Sequence, residues 1–278
     1  MIILPVLIEK EYPNFRLLID PSCTWIPPEK FRLCKYLIEI VYPEGTDSKL
    51  LLIDRWAFGG CYNLQRMNPF PGGLVELGVS AFDFCKKLQG RITIPASIRY
   101  VRDGCFNECI SITSVIFEPS TSTTITVVEL GIEIFAYCRE LLSVRLPNNL
   151  PVIPNDCFFG CLSLLDVVIP RTVRTIQSGA FTYCALSEVD LPESVIVIDE
   201  AVYRSCSVLA RVTIRSSTNV VQVGRDVFGD CPSLTTIRVV NPLVWSQLFS
   251  AMNTDPGFIY KFVRKYDDQI MTHHRSSR

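Results

Sequence analysis

The chain has 278 residues, 48% of them hydrophobic, and a formal net charge of −1. That length is enough to bury a sizeable core, and the charge balance excludes the basic footprint of a nucleic-acid or anionic-membrane binder. No run of about 18 apolar residues occurs, so no membrane span is expected.

In chain order, Met1–Ile8 is apolar but lacks a basic start, is interrupted by Pro5 and runs into Glu9-Lys10-Glu11 without a small-residue cleavage site. It is expected to be a strand or hydrophobic cap in a chain that is not secreted, and residues 1–25 form an N-terminal cap. A pattern then begins that recurs nine times: an aromatic, a cysteine three residues on, and an aliphatic about three further. The aromatics are Phe31, Phe58, Phe82, Phe106, Phe135, Phe158, Phe181, Tyr203 and Phe228, at spacings of 27, 24, 24, 29, 23, 23, 22 and 25. A period in this range marks a solenoid. After each cysteine comes an alternating segment often closed by proline, such as Leu164-Leu-Asp-Val167-Val-Ile169-Pro170. Alternation predicts a short strand, and proline ends its pairing. Apolar pairs such as Ile98 with Val101 and Val173 with Ile176 predict a second short strand on the other wall. The aromatic and cysteine then occupy a corner too tight for a helix.

The cysteines Cys34, Cys61, Cys85, Cys109, Cys138, Cys161, Cys184, Cys206 and Cys231 share one repeat position. An odd row cannot pair completely. Stacked equivalents also lie about 4.8 Å apart with parallel Cβ vectors, which is poor geometry for a disulfide. Buried free thiols packing as small hydrophobes are expected, and with them a reducing, cytoplasmic location. Cys105 with Cys109 and Cys157 with Cys161 lie two coils apart, too far to converge on one zinc ion.

The run Val167-Val-Ile-Pro170, Val173, Ile176, Ala180-Phe181-Thr-Tyr-Cys184 resembles the BspA-like, or Treponema pallidum-type, class of leucine-rich repeats. The resemblance extends from Ile26 to Val240. It departs at Tyr203, at Cys105 and Cys157, and at Leu186, which comes one position early. It implies a right-handed, curved leucine-rich-repeat solenoid of about nine coils over residues 26–240, and a macromolecule-recognition module. Beyond it, 241–278 is expected to be a helical cap and tail. Pro242–Met252 and Pro256–Ile270 both carry apolar residues at helical spacing.

Catalytic chemistry finds little support. The only histidines are His273 and His274, and no lysine lies between Leu88 and Tyr260. No phosphate-cradling loop or metalloprotease motif is present. No catalytic residue, cofactor or metal is therefore expected. The variable positions are the outward strand residues: Arg91/Thr93, Ser114/Ile116, Ser143/Arg145, Asp166/Val168, Glu188/Asp190, Arg211/Thr213 and Thr236/Arg238. Stacked in adjacent rows, they set an acidic centre (Asp166, Glu188, Asp190) between Arg145 and the pair Arg211 and Arg238, with Ile116 and Val168 exposed. Arg91, Ile116, Arg145, Asp166, Val168, Glu188, Asp190, Arg211 and Arg238 are the candidate contacts for a protein partner. Self-compensating solvated charges explain the same pattern. Ser120–Thr124 reads as a hydroxyl-rich loop inserted between coils, either passive or open to phosphorylation. The leading expectation is a non-enzymatic protein-interaction scaffold. An extracellular adhesin or a recognition subunit of an enzyme complex is the alternative.

Overall fold

A computed structural model describes residues 14–43, 48–119, 127–215 and 222–240, and the backbone of 261–264 and 270–271. Each coil contributes one strand to each of two walls, and coils stack in parallel. The longer wall comprises three sheets. Phe15–Leu18, Leu37–Val41 and Arg66–Met67 form the first; Gly90–Ile94, Ile112–Phe117, Ser143–Arg145 and Asp166–Val168 form the second. Glu188–Leu191, Arg211–Ile214 and Thr236–Val239 begin the third, which Lys261–Arg264 extends in parallel and Ile270–Met271 closes antiparallel. The opposite wall is made of two-residue strands, from Trp25–Ile26 to Glu129–Leu130 and from Val152–Ile153 to Gln222–Val223. The first rung, Phe15–Leu18, falls in the segment assigned from sequence to the N-terminal cap.

The second C-terminal helix expected from sequence is not formed: Lys261–Arg264 is a strand. The preceding strand, Thr236–Val239, offers an open edge of unpaired main-chain groups, and pairing there outweighs the apolar spacing that suggested a helix. Pro242–Met252, Met1–Ile8, Ser120–Thr124, His273 and His274 lie outside the described residues. Among those described, no helix is long and apolar enough to cross a membrane.

The corner between the walls shows why the aromatic and cysteine recur. The residues two before and two after every repeat aromatic have positive φ, for example Asp156 and Gly160 around Phe158, or Glu133 and Tyr137 around Phe135. Most are not glycine, so the conformation costs energy that the surroundings must offset. Main-chain bonds to the next coil do so. Asp156, Phe158 and Gly160 donate to Ser178, Ala180 and Thr182 at 3.0, 2.8 and 2.9 Å, and neighbouring coils repeat the pattern. The aromatic rings stack in one column, with successive centroids 5.2–5.7 Å apart and planes within 4–19°. Each contact adds about 0.5–1.5 kcal/mol beyond burial. Tyr203 keeps the stack but buries a hydroxyl with no partner.

All twelve cysteines are buried, and none is in a disulfide. They are more than small hydrophobes, because from Cys61 onward each row thiol donates to the carbonyl of the preceding coil's aromatic. Cys61 bonds Phe31 at 3.0 Å, Cys161 bonds Phe135 at 3.1 Å and Cys231 bonds Tyr203 at 3.1 Å. Burial pushes the row thiols from Cys61 onward up in pKa, so they are poor nucleophiles.

Asp83 is one of few buried polar residues, accepting from Asn107 at 3.0 Å while the Asn107 carbonyl oxygen stays unpartnered. Burial raises its carboxyl from 3.8 to about 6, against hydrogen bonds from Asn107, Ser80 and the Phe84 amide. The folded chain thus holds this proton more tightly than the unfolded chain. The contribution is full below pH 4 and is lost as pH rises through 6. Asp83→Asn removes that slope and supplies an amide donor for Asn107. Chemical denaturation at pH 5 and pH 7.5 should show the variant about 2 kcal/mol more stable than the parent at the higher pH.

Candidate functional site

The outward residues named from sequence fall into register as expected within each sheet. Arg91 lies beside Ser114, Thr93 beside Ile116, Ile116 beside Arg145, and Arg145 beside Val168. Glu188 lies beside Arg211, and Thr213 beside Arg238. At the step from Asp166–Val168 to Glu188–Leu191, as at the earlier one from Arg66–Met67 to Gly90–Ile94, no ladder joins the strands. The expected acidic centre is therefore split between two sheets, and Ile116 is half-buried rather than exposed.

The cause is legible in the local chain. In eight coils the cysteine and the aliphatic three residues on close a turn, as Leu164 N–H does on Cys161 C=O at 3.0 Å. Cys184-Ala185-Leu186 is one residue short, and the turn bond is missing. Across the following row, Leu142 donates to Thr113 at 2.9 Å, Leu165 to Leu142 at 3.0 Å, Ala210 to Ser187 at 2.8 Å and Thr235 to Ala210 at 3.1 Å. Ser187 makes no such bond to Leu165. Continuing the register would also set Asp166 directly opposite Glu188, a repulsive cross-strand pair.

At this step only the longer wall opens. The opposite wall pairs Val152 through Thr175 and Val197 to Gln222 without interruption. Phe158 and Phe181 remain stacked at 5.3 Å, and the Cys184 thiol still reaches Phe158 O at 3.2 Å. The result is a wedge-shaped groove of about 1350 Å³. It brings together Asp166, Val168, Glu188, Asp190, Arg211 and Arg238 from the sequence set, and leaves Arg91, Ile116 and Arg145 outside it, on earlier strands of the sheet that ends in Asp166–Val168. Val167, in a core row, is only partly buried here, whereas Val144 and Val189 are buried.

Charge within the groove is unevenly matched. Glu188 is bound by Arg211, and Asp190 by both Nε and Nη2 of Arg215 at 2.6 Å. Asp190 holds the Arg215 guanidinium above its usual pKa, with Glu193 adding to the effect. Asp166 has no hydrogen bond or ion pair from its carboxylate among the described residues. On the same lip Val168 is 71% exposed and Leu165 59%, an apolar strip beside a charged one. Sequence reasoning missed Arg171, Glu193 and Arg215, which line the groove. Arg215 directly follows a strand, one step of the outward alternation beyond Arg211 and Thr213, and that phase together with its i+25 relation to Asp190 was the available signal. No three His, Cys, Asp or Glu side chains gather as a metal site among the described residues.

The family model described as BspA type leucine rich repeat region matches the chain in six copies, over residues 24–127 and 128–252. A leucine-rich repeat protein from Bacteroides ovatus is 20% identical, covering 91% of this chain and 92% of its own, with a TM-score of 0.45. The T. pallidum leucine-rich repeat protein is 26% identical over 78% of this chain and 86% of its own, with a TM-score of 0.48. A leucine rich cell surface protein from Faecalibacterium prausnitzii is 17% identical over 90% and 84%, with a TM-score of 0.35. No curated protein matches the chain.

Proposed function

We propose that this chain, which belongs to the BspA-type leucine-rich repeat family, is a non-enzymatic scaffold that binds a protein partner at the groove between Asp166–Val168 and Glu188–Leu191. Repeat arrays of this family typically mediate protein–protein contact. The observation that carries the choice of site is the groove itself, where unmatched charge and exposed Leu165 and Val168 meet at the one place in the regular stack where Cys-x-x-Leu is shortened. A uniformly basic face would suit a polyanion, while mixed charge with apolar area suits a protein. The carboxylates do not favour an enzyme: Glu188 and Asp190 are exposed and already bound to arginines.

A partner identified by proximity labelling in the native cell, then purified, provides the test. Combined Asp166→Lys and Arg238→Glu should weaken its binding at least about tenfold, with an unchanged melting temperature. Unchanged affinity overturns the groove as the site. We further assign the chain to a reducing, cytoplasmic compartment, because each row thiol from Cys61 onward serves as a donor between coils and oxidation would break that bond. Chain isolated under non-reducing conditions should titrate twelve thiols in denaturant. Recovery of several disulfides would overturn this assignment and favour a surface protein.

A further inference from the structure

The opened wall leaves main-chain groups without partners inside the parallel stack. In the neighbouring rungs, Leu165 and Ala210 each donate to the coil before, at 3.0 and 2.8 Å. By that pattern the Ser187 N–H and Leu165 C=O face each other across the groove, unpaired. Arg211 likewise turns its N–H to the preceding coil at Ser187 O. Glu188 and Asp190, at equivalent positions one coil earlier, therefore present their main-chain groups to the groove from one lip, and Val167 and Ile169 present theirs from the other. Unpaired strand edges are templates for an added strand. A cavity of about 1350 Å³ also exceeds what small-molecule sites usually enclose, about 300–1,000 Å³.

We propose that this groove accepts an extended peptide segment of the partner protein by strand addition along Ser187–Leu191, a reading that rests on the protein-binding function above. Side-chain alternation fixes the chemistry of the segment. One of its faces lies between Asp166 and Glu188, then between Val168 and Asp190. Basic residues belong there, because Asp166 lacks a cation and stands against a second carboxylate. The other face lies over partly buried Val167 and the core rows of Ile169 and Val189, and takes apolar residues. The segment is thus an alternating apolar–basic strand, whose lysines or arginines relieve the repulsion that keeps the wall open.

The probe is a capped, fluorescent Ser-Val-Lys-Val-Arg-Val-Lys-Ser peptide, titrated into the full chain and followed by anisotropy. The parent peptide should bind saturably, and replacing its basic residues with Glu should weaken it at least about tenfold. N-methylation of its valines removes ladder donors while keeping charge, and should cost about tenfold or more. Asp166→Arg in the protein should do the same, whereas Arg91→Glu, at the far edge of the same sheet, should change nothing. Absence of binding, or equal binding of the N-methylated peptide, overturns strand addition. If saturating peptide fails to displace an identified partner whose binding still needs Asp166 and Arg238, the scaffold function stands and the strand-addition mechanism falls.

Discussion

Phe158→Ala is expected to lower stability by about 4 kcal/mol and to divide one thermal transition into two. The first part follows from removing a fully buried ring and leaving a cavity in a column where it touches Phe135 and Phe181, at 5.7 and 5.3 Å. The second follows from position. In a stacked array each coil is held only by its neighbours. Between Phe158 and Phe181 one of the two walls has no ladder, so the corner bonds, the ring stack and the opposite wall carry the whole interface. Weakening the stack there uncouples the coils ending at Asp166–Val168 from those starting at Glu188–Leu191. Phe106→Ala provides the comparison, since that ring is equally buried and stacked but both walls continue on either side of it. It should cost a similar amount and melt in one step. Calorimetry of the two variants separates the outcomes, and a single transition for Phe158→Ala would show that the open wall contributes little to coupling.

The same junction shows how far the sequence could be read. The Phe, Cys, Leu and Val rows were legible because every coil must refill the same interior positions, so the pattern is enforced nine times. Outward residues followed from strand alternation, and their register held within each sheet. The early Leu186 was visible as a one-residue departure, but its consequence was not. A change in coil length can be absorbed or can break a rung, depending on local backbone freedom. The coil after Cys85 carries one residue more between cysteine and core strand residue; it too has no ladder to the strand before it, Arg66–Met67, but it turns at Gly90, which has φ of 83°, and keeps the Gln89 N–H to Gln65 C=O bond at 3.1 Å. The coil after Cys184 is one shorter, and it loses the corresponding bond between Ser187 and Leu165 as well as the ladder. Thiol donation was also out of reach, because it depends on where the aromatic carbonyl of the preceding coil points. The C-terminal strand was missed because its apolar spacing is helical, while the open sheet edge that recruits it is a property of the stack.

Gly78→Ala should be costly for a reason no side-chain row records. Gly78, Gly131 and Gly224 follow the short-wall strand in their coils, and their N–H groups approach the preceding coil at 2.7 Å. A Cβ on Gly78 would lie 2.5 Å from Arg55 N and 2.6 Å from Asp54 C. Both are main-chain atoms, so no rotamer change relieves the overlap, and the coils must separate. Separation stretches the Gly78–Ile53 bond and loosens the packing of Leu77 against Ile53, both fully buried. The expected loss is about 3 kcal/mol, at the upper end for overpacking in a core. Gly72→Ala is the matched control. Nothing lies within 4 Å of the methyl that alanine would place there, and its stability should stay within about 0.5 kcal/mol of the parent. Denaturant titration of both variants tests the claim. Equal stabilities would mean that adjacent coils slide apart at little cost, and the stack would then be compliant enough to close the Leu165–Ser187 gap without help from a bound strand.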